Sequence, residues 1–227
     1  MSRKILLCYY RDWAKEVSDI LINNFSDDYE FYTARHNAEL EALHSAIRFD
    51  LIFFIGWSSI VKKEILKSTC ICMHPSALPK YRGGSPIQNQ IINGEQKSSV
   101  TFFRMTEKLD EGPIISQTPF LLTGALNDIL DRIKNICTSS IPTILSRFFN
   151  GELHFVEQNH NEATYFKRLT PNQSEIKITG FEKFPASHFY NKIRMLQKPY
   201  PNAYIVCKNN TKLFITNSYG SDNISSR

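Results

Sequence analysis

Two residues in this chain have the type and setting for acid–base chemistry, His74 and Asp110. His74 opens the segment His-Pro-Ser-Ala-Leu-Pro-Lys-Tyr-Arg-Gly-Gly-Ser-Pro, which is too rich in proline and glycine to continue a strand or helix. Asp110 lies in Leu109-Asp-Glu-Gly-Pro-Ile-Ile, a turn sequence leading into an apolar run. Each follows a stretch that reads as a buried strand, and in open α/β folds ligands bind beyond the carboxyl ends of strands. A histidine held by a carboxylate is a general base, the carboxylate fixing the tautomer and stabilising the imidazolium. Gly83, Gly84 and Gly112 would let backbone amides come close to a substrate.

Other residues near this pair have weaker claims. Ser76 lacks the Gly-x-Ser-x-Gly elbow of a serine nucleophile, which leaves a backbone cap or a substrate hydrogen bond. Cys70, Cys72 and His74 share one strand face by alternation, but the spacing lacks a second ligand pair and no metal is expected. Arg82 could bind an anion or be a solvated loop charge. Arg168, Lys192 and Arg194 could meet phosphates or be ordinary surface charges. Trp57, Phe53 and Phe54 read chiefly as core.

The elements that position these residues alternate. Strands are expected over 4–10, 30–33, 51–55, 69–74, 99–104 and 114–122. Helices are expected over 13–23, 39–49, 59–67, 86–93 and 127–149, the last kinked at Pro142. That order signals an α/β fold, a doubly wound, mostly parallel sheet. Beyond Gly151 the character changes to short extended pieces, a helix over 185–196 and a hairpin around Asn209-Asn210. The expected division is a catalytic domain over 1–160, a small α+β unit over 161–216 and a polar, frayed tail over 217–227.

Composition narrows the class. The 227 residues are 42% apolar and 22% charged, an ordinary globular balance, and no apolar run approaches the ~20 residues of a membrane span. Five cysteines without framework spacing suggest reduced thiols in the cytoplasm, and the N-terminal apolar stretch is too short for a signal peptide. The formal charge of +5 is mild and lacks a dense basic run. It points to a small anionic substrate rather than nucleic acid.

The pairing of His-Pro-Ser-x-Leu-Pro-x-Tyr-Arg-Gly with a later Leu-Asp-x-Gly-Pro-Ile resembles the folate-dependent formyltransferases. That family includes methionyl-tRNA, glycinamide-ribonucleotide and nucleotide-sugar N-formyltransferases. Ala163-Thr-Tyr-Phe-Lys-Arg-Leu-Thr-Pro171 and Tyr190 to Ala203 are similar to the linker and C-terminal start of the tRNA and sugar branches, so the resemblance covers nearly the whole chain. It implies N10-formyltetrahydrofolate as the donor, with the pterin near Gly56, Trp57, Leu109 and Gly112, and no metal. His74 would help remove the proton of the attacking amine, and Asp110 would orient His74. Ser76, Lys80, Tyr81, Arg82, Gly83 and Arg168 would contact the acceptor.

The family normally carries Asn two residues before the histidine, donating to the developing oxyanion, and here that position is Cys72. A thiol is a poor donor. Either Asn89 supplies the missing amide, or the site runs more slowly, or the protein has fallen silent and only binds folate or nucleotide sugar. The short stretch after residue 160 is expected to exclude the barrel of a tRNA formyltransferase. What remains is an enzyme acting on a nucleotide-linked amino sugar, expected to be a homodimer with neither nucleic acid nor membrane as partner.

Overall fold

The computed structural model describes residues 3–218, so part of the expected tail lies outside the described residues. Six strands form the central sheet: β1 (Lys4–Tyr9), β2 (Glu30–Ala34), β3 (Leu51–Ile55), β4 (Cys70–His74), β6 (Lys97–Arg104) and β7 (Ile114–Leu121). Their order is β2-β1-β3-β4-β6-β7. The first four are parallel, whereas β6 is antiparallel to both β4 and β7. The expected doubly wound, mostly parallel α/β sheet is therefore present.

Alternation along the strands divides the core in two. Ile5, Leu7, Phe53, Ile55, Ile71 and Met73 face one cluster, while Leu6, Cys8, Ile52, Phe54 and Cys70 face the other. Helices α1 (Asp12–Phe25) and α4 (Leu126–Phe149) cover the first face. Helix α2 (Asn37–Ala46) covers the second through Leu40 and Leu43. On this second face β4 also places Cys72 and, by the same alternation, His74.

Two expectations on local structure fail. Residues 59–67 do not form a helix; only Ile65–Lys67 makes a 3-10 turn. Two serines followed by β-branched Ile60 and Val61 are weak helix formers, and the segment buries Val61 and Ile65 while Ile60 stays exposed. The piece expected to be extended after Gly151 makes only an isolated bridge, Val156 to Ile114. By contrast, α4 runs unbroken through Pro142.

A two-residue strand β5 (Arg82–Gly83) in the loop after β4 pairs in parallel with β8 (Tyr165–Phe166). Between them lies α3 (Pro86–Ile92), which packs against α5 (Ala186–Met195). Strands β9 (Ala203–Val206) and β10 (Lys212–Ile215) form the expected hairpin, with Asn209 and Asn210 at positive φ. Ile176, Ile193, Met195, Leu196 and Ala203 join the first core cluster, so the C-terminal segment shares its apolar interior with the sheet.

Candidate active site

β4 delivers His74 to its carboxyl end, where the side chain is only 6% exposed. Its Nε2 lies 2.8 Å from the carbonyl oxygen of Tyr81. A carbonyl only accepts, so Nε2 carries the hydrogen and the lone pair of the neutral ring sits on Nδ1. Nδ1 faces the Asp110 carboxylate at 3.7 Å, too long for a hydrogen bond but close enough to stabilise an imidazolium. The hydrogen bond that holds the ring thus comes from the Tyr81 backbone, while Asp110, expected from the resemblance to orient it, faces Nδ1 at longer range. Tyr81 has φ 60°, a backbone turn that places its carbonyl on His74.

The loop carrying that carbonyl is braced by its own and neighbouring side chains. Ser76 Oγ donates to the Lys80 carbonyl at 2.7 Å, and Thr101 Oγ1 donates to the Ser76 carbonyl at 2.6 Å. Gln90 Nε2 reaches the Pro75 carbonyl at 2.8 Å and Gln117 Nε2 the Leu78 carbonyl at 2.7 Å.

Asp110 arrives by a different route. Its loop starts beside the first residue of β4, where the Met105 amide meets the Cys70 carbonyl at 2.8 Å. It then crosses the sheet face to bring the carboxylate to the last residue of β4. Asp110 has φ 53°, and its Oδ2 accepts from the Gly83 amide at 2.8 Å.

The expected substrate contacts divide into two groups. Ser76 is fully buried and its hydroxyl is spent on Lys80. Tyr81 stacks on Phe166 with centroids 4.8 Å apart and donates its hydroxyl to Glu95 at 2.9 Å. Arg82 is 0% exposed, its guanidinium bonded to Gln158, Tyr165 and His160. The polar atoms of these three side chains are thus taken up by partners within the chain. The glycines likewise serve packing: a Cβ on Gly83 would lie 2.4 Å from the Phe166 carbonyl oxygen, one on Gly84 2.4 Å from the Arg168 backbone, and one on Gly112 1.7 Å from the Arg104 carbonyl oxygen. Lys80 and Arg168 are exposed, with no side-chain partner found among the described residues. Of the other cations considered, Arg194 is buried on the Leu122 and Gly124 carbonyls and Lys192 donates to the Glu175 carbonyl.

Cys72 is half-buried, and its thiol bonds to the Met73 carbonyl oxygen at 3.6 Å. Burial, reinforced by the Asp110 and Cys70 charges, pushes this thiol well above the ordinary range and keeps it neutral. Asn89 does not replace the missing amide. Its Nδ2 donates to the Gly84 and Lys167 carbonyls at 2.9 and 3.5 Å, tying the loop to the segment around β8.

On the neighbouring strand, Gly56 has φ 60°, and a Cβ there would press 2.8 Å from the Trp13 ring. Trp57 packs edge-on to Phe54, and its buried indole N–H has no protein partner. Leu109 is largely exposed. A cleft of about 660 Å³ opens where the Asp110 loop starts, beside the first residue of β4, lined by Leu66, Lys67, Met105 and Pro113 together with the charged Lys63, Glu64, Arg104 and Glu107; His74, Asp110, Trp57 and Leu109 are not in its wall. Among the described residues no group of His, Cys, Asp and Glu could hold a metal ion, and no helix is long and apolar enough to cross a membrane.

Sequence reasoning missed Gln158, Tyr165, His160 and Glu111, which surround Arg82. Each lies far along the chain from its partner, so no local spacing marks it.

An imidazole facing a carboxylate has the groups for acid–base chemistry, and comparison with known proteins gives the family. The Formyl transferase family matches residues 14–143, more than half of the chain, and the protein belongs to that family. Methionyl-tRNA formyltransferase of Thermotoga neapolitana is 34% identical over 190 residues, covering 81% of this chain and 59% of that protein. The chain thus spans less than two thirds of the length of such curated relatives. Among solved structures, methionyl-tRNA formyltransferase from Clostridium thermocellum superposes with a TM-score of 0.85 at 26% identity, covering 96% of this chain and 94% of that one. A 4-N formyltransferase from Francisella tularensis has a TM-score of 0.77 over 96% and 98% of the two chains; at 17% identity that likeness is one of fold.

Proposed function

We propose that this chain is an N-formyltransferase that moves the formyl group of N10-formyltetrahydrofolate to the amine of a nucleotide-linked amino-deoxysugar. The observation that carries the chemistry is His74, its Nε2 pinned by the Tyr81 carbonyl and its Nδ1 facing Asp110. As the acceptor nitrogen bonds to the formyl carbon, its proton passes to Nδ1, and Asp110 stabilises the imidazolium. The bond from that carbon to the donor nitrogen breaks, and the donor nitrogen takes the proton from Nδ1, which restores the neutral imidazole. The folate supplies the one-carbon group. The partnerless Trp57 N–H leaves a donor for a ring acceptor.

Lys80 and Arg168 support a phosphate-bearing acceptor. Arg168 lies against Gly84, in the strand-pairing loop that also holds Asp110 through Gly83, and both cations are free to meet a diphosphate. The relatives named methionyl-tRNA formyltransferases favour a second reading, with the amine on a charged tRNA. We read residues 161–216 as a subdomain that shapes the acceptor side. Its exposed Phe181, Phe184, Leu213 and Phe214 would seat a second copy. The reduced thiols fit a cytoplasmic enzyme.

The test is incubation with N10-formyltetrahydrofolate and a panel of dTDP- and UDP-amino sugars, with methionyl-tRNA in parallel, reading the mass gain of one formyl group. A formylated amino sugar is expected. Formylation of the tRNA alone would overturn the acceptor, and nucleotide-sugar binding without any product would identify a silent binding protein.

A further inference from the structure

The carboxylate facing His74 sits on a loop that does little to hold itself. Between Met105 and Pro113 the side-chain ties internal to the loop are an exposed Thr106 Oγ1 bond to the Lys108 carbonyl at 3.3 Å and a Lys108–Glu111 ion pair at 3.6 Å. Yet Asp110 occupies a positive-φ conformation. A non-glycine residue keeps that conformation when the surroundings enforce it. The enforcing contacts come from Gln158, which is 5% exposed. Its Nε2 donates to the Asp110 carbonyl at 2.9 Å and to the Gly112 carbonyl at 2.7 Å. Its Oε1 accepts from Arg82 Nε at 3.1 Å and Nη2 at 2.7 Å. Carbonyls only accept and guanidinium only donates, so the amide can sit one way round, with all four of its bonding capacities filled.

Arg82 braces the same loop a second time. Nη1 donates to the Tyr165 hydroxyl at 2.5 Å, and that hydroxyl bonds to Glu111, the neighbour of Asp110, at 2.8 Å. His160 Nδ1 takes a further guanidinium hydrogen at 3.0 Å. The residue after Arg82 is Gly83, whose amide holds the Asp110 carboxylate itself. Backbone, neighbour and carboxylate are therefore all referred to one buried guanidinium.

We infer that Gln158, braced by Arg82, is the positioning residue for Asp110: it clamps the backbone on both sides of Glu111 and so fixes the carboxylate opposite His74. The kinetic part rests on the formyl-transfer reading; the structural part does not. The test compares the full-length protein with Gln158→Ala and Gln158→Glu. The glutamate still accepts from Arg82 but at neutral pH has no hydrogens for the two carbonyls. Two quantities are read: hydrogen exchange of the Gly83 amide, and kcat and KM for the acceptor found above. In both variants exchange at Gly83 is expected to quicken about tenfold or more, while amides of β1 and β3 keep their protection. Turnover should fall about 10²-fold with KM for the acceptor within a few-fold, as misplacement by about 1 Å can cost. If Gln158→Ala does not fold, Gln158→Glu carries the test. Unchanged Gly83 exchange, or exchange that quickens equally across β1 and β3, would overturn the inference. Should the wild type transfer no formyl group to any acceptor, the exchange measurement still decides it.

Discussion

The two loops that meet at the site are held in opposite ways. The loop after β4 is fixed largely by its own residues and their close neighbours: Ser76 caps Lys80, Thr101 and Gln117 reach in from β6 and β7, and the Tyr81 carbonyl sets the imidazole. The loop between β6 and β7 carries its carboxylate on a residue at positive φ, as Tyr81 is in the first loop, and is fixed from outside by Gly83 and Gln158. The base's loop thus carries an internal brace of its own, Ser76 on Lys80, beside its ties to β6, β7 and Thr164, whereas the carboxylate's backbone is clamped from outside. A motif can therefore look complete while half of its geometry depends on residues elsewhere in the chain.

The largest test of this contrast is His74→Asn. Removing the base should lower formyl transfer about 10²–10⁴-fold while the melting temperature moves only a few degrees, since the loop keeps its other braces. Steady-state assay beside thermal unfolding checks it; turnover preserved within a few-fold would remove His74 from the chemistry. Next in size is Cys72→Asn. The thiol hydrogen goes to the Met73 carbonyl, so an amide there should supply the oxyanion donor that Asn89 cannot, raising kcat about tenfold. A fall in kcat would mean that the pocket is built around sulfur.

Smaller effects separate the loops themselves. Ser76→Ala should cost about 1 kcal/mol of unfolding free energy, as a buried internal hydrogen bond is lost. Thr106→Ala in the other loop should stay within about 0.5 kcal/mol, because that exposed bond carries little. Denaturant midpoints distinguish the two, and equal losses would erase the difference between the loops. The smallest effect concerns thiol chemistry. Burial raises Cys72 well above the ordinary range and Cys70 to about 12, so at pH 7–8 both stay protonated and a thiolate reagent should label exposed Cys207 first. Mass mapping of the labelled peptides reads the order, and Cys72 should gain reactivity only as pH rises.

Much of the fold could be read in the sequence because periodicity reports burial. The apolar runs at 4–9, 51–55 and 70–74 are strands buried on both faces, and alternation correctly put Cys70, Cys72 and His74 together. It failed at 59–67, where two apolar residues at helical spacing are buried by a chain that does not coil. In the site, the motif located His74 and Asp110, but residue type could not tell a substrate contact from a scaffold. Arg82 and Arg168 look equivalent as letters; one is enclosed by four partners of its own chain and the other is exposed. Gln158 was invisible because its partners stand 46 to 76 residues away.

In the proposed reaction His74 presents Nδ1, not Nε2, to the reacting amine. Nitrogen-15 shifts of the imidazole, measured in the full chain against His74→Asn for assignment, read this directly. The neutral ring should show a protonated Nε2 and a bare Nδ1. A neutral ring protonated at Nδ1 would contradict it, because the lone pair would then point at the Tyr81 carbonyl and no base would face the site.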